Sequence, residues 1–253
     1  MNKQYISLVV AVTLLTACGG GSSSSSSQND GEGSIDLAEY YPNKSMNKTF
    51  ITVDREISDE VAEKSHYDEI IEVVAHTITT TEDGEVVEKV LISDKNITTT
   101  VIDDGETGID NMFRHVDLGD TLISEKRNFT ETNDLGVITT TLEYTCKVES
   151  KENKFEKDDN IYTGDLLKIA CVSEGEVIYD VKQAILDAGA ASDLNGSHSI
   201  YNKSYVYLKK DLGEVAYIND DCVTNAKLPM LINDKANSSD CKGEQYEYEF
   251  YLP

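Results

Sequence analysis

Tryptophan is absent, proline occurs three times in 253 residues, and 22 Lys and Arg stand against 47 Asp and Glu, a formal charge of -25. The shortage of positive charge argues against nucleic acid as a partner, because phosphate recognition needs a clustered Lys/Arg surface that releases counterions. Long apolar runs are also missing. The one that exists lies at the very start and is about half the length a bilayer-spanning helix requires, which argues against a transmembrane transporter.

Catalytic signatures are missing too. His66, His76, His115 and His198 lack the His-Glu-x-x-His spacing of zinc hydrolases, and no Gly-x-Ser-x-Gly elbow or glycine-rich phosphate cradle occurs. Gly196-Ser197-His198-Ser199 reads as a polar turn, since a Ser/His pair must meet through the fold and not along an extended chain. Carboxylates are so numerous that nominating any two as a glycosidase pair carries no information. Without a Cys-x₂-Cys pair, zinc is disfavoured. The sequence therefore nominates no catalytic residue, no metal ligand and no cofactor.

What is present is clearest at the N-terminus. Lys3 supplies a positive n-region, Ile6 to Leu15 forms an apolar h-region, and Leu15-Thr16-Ala17-Cys18 closes it with small residues before a cysteine. This is the pattern of a secretory signal and not of a structural helix. Its last four residues resemble the lipobox of bacterial lipoproteins. The resemblance covers residues 1–18 only; it implies cleavage before Cys18, a thioether-linked diacylglycerol on its sulfur and an acyl chain such as palmitate on its new amino group. Two or more chains anchor a protein stably, at about 0.8 kcal/mol per buried methylene. Gly19 stands where an inner-membrane retention signal would place Asp, so the resemblance points to the outer membrane, on its periplasmic or its surface side.

Three glycines and six serines follow, Gly19 to Ser27, and the stretch to Asp36 has almost nothing to bury. It reads as a flexible Gly/Ser-rich tether, and about 17 such residues span about 20–25 Å. The expected organisation is a signal peptide over 1–17, a tether over 18–36 and one β-rich domain over 37–253, with no Pro- or Ser-rich seam inside it.

From about residue 50, runs of Val, Ile, Thr and Tyr alternate with short Asp/Gly and Asn/Asp turns, the mark of antiparallel hairpins. Ile70 to Thr81 and Val86 to Ile92 flank Asp83-Gly84, a dipeptide suited to a tight hairpin turn. Strands are also expected over Ile97 to Ile102, Thr121 to Phe129, Val137 to Val148, Tyr205 to Leu208 and Glu214 to Ile218. Tyr246 to Tyr251 alternates polar and aromatic residues and sets its rings on one face. Ile78-Thr79-Thr80-Thr81, Ile97-Thr98-Thr99-Thr100 and Ile138-Thr139-Thr140-Thr141 recur as in a meander, and three Asp-Leu-Gly triplets mark reversals. Helix is expected only over Ser58 to Lys64 and Val181 to Ala188. Glu149 to Asn160, charged throughout, reads as an exposed loop, and the clusters around Asp103, Asp158 and Asp220 read as solvated turn acids. The fold expected is mainly β: an antiparallel meander of hairpins forming a curved sheet, a sandwich or an incomplete barrel.

After Cys18, four cysteines remain, an even number suited to disulfides in an exported chain. Cys146 and Cys171 lie in two strand-like runs and are expected to pair across a ladder. Cys222 and Cys241 bracket a loop of little periodicity and are expected to close it. The function these features favour is a non-enzymatic binding or structural module, held to a membrane by the lipid on Cys18 and facing an envelope protein partner. A carrier of a lipid or acyl chain is the alternative; it requires an apolar concavity lined by residues such as Phe113, Leu122, Phe129, Tyr205, Tyr207 and Phe250. A periplasmic hydrolase is a third reading, requiring one of the four histidines beside a carboxylate and a nucleophile.

Overall fold

The computed structural model describes residues 34–55, 61–103, 106–132, 136–187, 195–223 and 243–253. Cys18, the signal peptide, the Gly/Ser tract of the tether and Cys241 lie outside the described residues.

The strands are β1 (Ile35–Asp36), β2 (Met46–Arg55), β3 (Glu63–Val74), β4 (Thr77–Glu82), β5 (Glu85–Ile92), β6 (Asn96–Asp103) and β7 (Glu106–Phe113). They continue as β8 (His115–Val116), β9 (Thr121–Thr132), β10 (Gly136–Lys157), β11 (Asn160–Val181), β12 (Gly196–Lys209), β13 (Gly213–Val223) and β14 (Gly243–Leu252). A 3₁₀ turn at Leu37–Tyr40 and one short helix, α1 (Gln183–Asp187), complete the described elements.

Twelve strands form one antiparallel sheet in the order β7-β6-β5-β4-β3-β2-β14-β13-β12-β11-β10-β9, nearly closed into a barrel. Of the three architectures the sequence allows, the incomplete barrel is the one formed. Two meanders run outward from the chain ends, and β2 and β14 join them from Thr49 opposite Leu252 to Arg55 opposite Tyr246. The seam therefore falls in the middle of the chain, where the free edges of β7 and β9 meet without a ladder.

The residue before that seam explains how one end is plugged. β8 turns out of the sheet and pairs with β1, and Arg114 grips the Asp36 carboxylate with Nε at 2.8 Å and Nη2 at 2.6 Å. From there residues 35–42 cross beneath the strands as a strap. Asp211 N–H donates to the Glu39 carbonyl at 2.7 Å on the far side, in the β12–β13 turn. Leu37 and Tyr40 enter the lumen and pack with Ile71, Ile78, Val90, Ile97, Val148 and Leu167 as one core cluster. Packed structure thus already includes Ser34, whose N–H and hydroxyl both donate to Asp117 Oδ1, and the buried Ile35, so residues 34–36, expected as tether, belong to the folded part.

Several local expectations need correction. The run Ile70 to Thr81 is two strands, β3 and β4, broken at Ala75-His76 with Ala75 at φ 54°. The Asp83-Gly84 turn stands as read, with φ of 49° and 87° at its two residues. In place of a helix over Ser58 to Lys64, Glu63 and Lys64 open β3, while residues 56–60 lie outside the described residues. A short helix does form within Val181 to Ala188, and its Ile185 and Leu186 pack with Val177, Tyr179 and Val181.

Glu149 to Asn160 is not a loop. β10 and β11 run 22 residues each, bend at register shifts near Val148 and Glu152, and carry their tip back over the outer face of the barrel. There Phe155 sits 4.0 Å from the Tyr207 ring, the Tyr162 hydroxyl donates to the Tyr251 carbonyl at 2.7 Å, and Lys157 reaches Asp220 at 2.7 Å. Phe155 within Glu149 to Asn160 and Tyr162 just beyond it are buried, and these two rings hold the charged segment as strand.

Candidate functional site

Alternation along the strands sends every second side chain into the lumen. Above the strap this gives a chamber of about 200 Å³. Its lower wall is apolar, with Leu37, Ile71, Ile78, Val90 and Leu208 among its residues. Met112, Leu122, Ile123, Ile169 and Val206 extend the apolar lining, and charged groups are set among them. Glu69 from β3, Glu82 from β4, Glu88 from β5, Asp110 from β7, Glu214 from β13 and Glu249 from β14 all line the chamber, and Lys48 from β2 is its one ammonium among the described residues. Phenols from Tyr40 and Tyr41 of the strap, Tyr67 of β3 and Tyr144 of β10 complete the polar lining.

Lys48, 3% exposed, does not neutralise this ring by contact. Its Nζ donates to the Glu214 backbone carbonyl at 2.7 Å and lies 5.4 Å from the Phe50 ring and 5.5 Å from that of Tyr251. Glu69 is its ladder partner across β2 and β3, yet among the described residues no carboxylate stands within 4 Å of the ammonium. Burial lowers the Lys48 pKa, and the fields of Glu69, Glu214 and Glu88 oppose that shift.

Burial acts on the acids in the opposite direction. It pushes Glu69 up to about 7 against the opposing field of Lys48, and Glu88 and Glu249 also up to about 7. Glu214 is raised well above its ordinary value by burial and then by the fields of Glu249 and Glu69. Glu249 is 3% exposed and accepts the Tyr67 hydroxyl at 3.2 Å, while Tyr67 stacks on Phe50 at 5.2 Å.

The seam adds a second polar group. Asp110 faces the lumen from β7, 7% exposed, and is pushed up to about 6 by burial and by the adjacent Glu125 of β9, to which it is hydrogen-bonded. Glu125 is in turn held by Arg127, with Nε at 2.9 Å and Nη2 at 2.8 Å, and Arg127 lies over the Tyr144 ring at 5.4 Å. Asp110 Oδ2 is buried with no hydrogen-bond partner. An orphaned buried carboxylate oxygen costs about 1–3 kcal/mol or more, and native proteins carry few such groups.

The expected site residues distribute as follows. Cys146 and Cys171 are ladder partners of β10 and β11 and form a disulfide, both lining the chamber wall; Tyr144 donates its hydroxyl to Cys146 Sγ at 3.0 Å. Cys222 in β13 is disulfide-bonded, and Cys241, its expected partner, lies outside the described residues. The histidines are scattered: His66 on β3, His76 in the β3–β4 turn, His115 in β8 at 3.8 Å from Asp36, and His198 on β12 against Tyr179. Gly196-Ser197-His198-Ser199 opens strand β12 and is not a turn, and Ser197 donates to Glu176 on β11. Asp158-Asp159 is the turn expected, with Asp158 at φ 54°, but Asn219-Asp220-Asp221 lies within β13, where the Tyr248 hydroxyl donates to Asp220.

The residues named for an apolar concavity do not come together around the chamber. Of the six, Leu122 alone lines it. Phe113 and Phe129 are exposed, and Tyr205, Tyr207 and Phe250 belong to the outer cluster covered by the β10–β11 tip. Rings that signal a core in sequence are here buried outside the barrel wall, because a second layer folds over them. The lumen charges escaped notice for the matching reason: Glu249 alternates with Tyr248 and Phe250 as a surface charge does, Lys48 and Glu69 each have a polar neighbour, and only the closure of the sheet turns their face inward.

No group of three or more His, Cys, Asp or Glu converges at metal-binding distance among the described residues. No helix among them is long and apolar enough to cross a membrane. Compared with known proteins, the chain matches no family model, no curated protein and no solved structure.

Proposed function

We propose that the chain is a lipid-anchored, non-enzymatic binding module of the cell envelope, tethered through Cys18 and carrying its ligand site in the barrel chamber. One observation carries the binding role: the strap plugs one end of a twelve-stranded barrel and leaves above it a largely apolar chamber into which six carboxyl groups and one ammonium project, Lys48, Asp110 and Glu249 of them buried. A core built only for stability would fill that space with apolar side chains, since each buried unpaired acid opposes folding. The anchoring rests on the lipobox-like Leu15-Thr16-Ala17-Cys18, and Gly19 after it supports the outer membrane. An envelope protein partner on the outer surface fits the same reading.

Two measurements test it. Wild-type chain should fractionate with membranes and carry a fatty-acid mass on its N-terminal peptide, whereas Cys18→Ala should be released to the soluble fraction; a soluble, unmodified wild type would refute the anchor. Native mass spectrometry of the mature chain taken from its own membrane, without added ligand, should show a small co-purifying mass that a bulky lumen substitution, Thr99→Trp, removes.

A further inference from the structure

We infer that the chamber binds a small organic cation, an ammonium or amidinium group carried on an apolar body. The inference rests on reading the chamber as the ligand site and names the chemistry of its occupant. Three observations carry it. First, six carboxyl groups face a single ammonium, and that ammonium is already committed to the Glu214 carbonyl and two aromatic rings. Second, Asp110, more than nine-tenths buried with its side chain on the lumen face, keeps Oδ2 without a partner. Third, the acids come from six different strands around the wall, and among the described residues no three converge on one point as a metal ion requires.

Size and wall chemistry narrow the class. A space of about 200 Å³ lies below the roughly 300–1,000 Å³ that enclose drug-sized ligands, which favours a small molecule over a full acyl chain. Below the acids, Leu37, Ile71, Ile78, Val90 and Leu208 offer an apolar floor for the body of the molecule. The phenol faces of Tyr41, Tyr67 and Tyr144 can take a cation as well as the carboxylates can.

Binding must then be linked to protons. The groups that face the ligand are the six carboxyls, Lys48 and the phenols of Tyr40, Tyr41, Tyr67 and Tyr144, with Glu125 and Arg127 behind Asp110. Burial disfavours the charged form of these acids and raises Glu69, Glu88 and Glu249 to about 7. A bound cation restores the charged form, so protons leave as it enters and affinity rises with pH.

The test is isothermal titration of the full mature chain in detergent micelles with three probes of nearly one shape: 2-phenylethylammonium, 2-phenylethanol and phenylacetate. The cation should bind with release of protons, at least tenfold tighter at pH 8 than at pH 5.5, and at least tenfold tighter than either other probe. Asp110→Asn and Glu88→Gln should each weaken it about tenfold, while Glu72→Gln on the exposed face of β3 should not. The wild-type pH series keeps the test decisive if Asp110→Asn fails to fold. Preference for the alcohol or the carboxylate, or an affinity flat in pH, overturns the cation inference and leaves the chamber as a ligand site. Failure of all three probes overturns the cation inference as well; if native mass spectrometry then finds no co-purifying mass, the chamber reading falls with it.

Discussion

Glu249 shows what single residues contribute here. Its carboxylate is buried between Tyr67 and the acids of neighbouring strands, and burial first, then the field of Glu82, raises its pKa to about 7 while the Tyr67 hydrogen bond pulls it down. Above that pH the folded protein carries a charge the unfolded chain would hold at no cost. Glu249→Gln keeps an acceptor for Tyr67 and removes the charge. It should therefore stabilise the protein by about 3 kcal/mol at pH 8 and by less than about 1 kcal/mol at pH 5, read from urea denaturation at the two values. A gain independent of pH would mean that packing, and not ionisation, sets the effect. The Cys146–Cys171 disulfide, by contrast, was legible in sequence, because two cysteines in matched strand-like runs can face each other across a ladder.

At the scale of elements, the folded-back tip of β10 and β11 decides which face of the sheet is core. Phe155 and Tyr162 seal Tyr207, Tyr248 and Phe250 from water, so those rings are buried on the outside. Phe155→Ala removes the ring 4.0 Å from Tyr207 and should cost about 3 kcal/mol, with the loss read as a lower denaturation midpoint. Further along β11, Gly175 lies so close to β10 that an added Cβ would stand 1.9 Å from the Thr141 carbonyl oxygen. Gly175→Ala must push the two strands apart and should cost about 1–3 kcal/mol by the same measurement. The hairpins and the Asp83-Gly84 turn could be read from alternation and turn chemistry. The Ala75-His76 break could not, since alanine at φ 54° carries no turn signal. Nor could the reach of the tip: Glu149 to Asn160 has the charge density of a loop, and what holds it as strand is the distant surface of β12 to β14. The chamber was illegible for a related reason, because a strand's two faces are interchangeable until closure fixes which one is inside.

For the whole molecule, the two sets of shifted carboxyls bound the pH range of stability from opposite sides. Asp36, hydrogen-bonded to Arg114, and Asp117, held by the Ser34 N–H and hydroxyl, have pKa values below the ordinary 3.8. Their contribution is fully present above that value and is lost as pH falls through the depressed one. Glu69, Glu88 and Glu249 at about 7, Asp110 at about 6, and the raised Glu82 and Glu214 act oppositely. Between about 4.5 and 7 the folded barrel binds more protons than the unfolded chain, so stability declines as pH rises through that window. A net charge of -25 adds self-repulsion at the upper end. The melting temperature should accordingly peak near pH 5 and fall by at least about 5 °C by pH 8, where most proteins hold steady. A melt that is flat or rises from pH 5 to 8 would mean that water in the lumen solvates these acids fully. If the decline is present, saturating 2-phenylethylammonium at pH 8 should recover most of it, since a cation among ionised carboxylates removes the penalty that protons remove at pH 5.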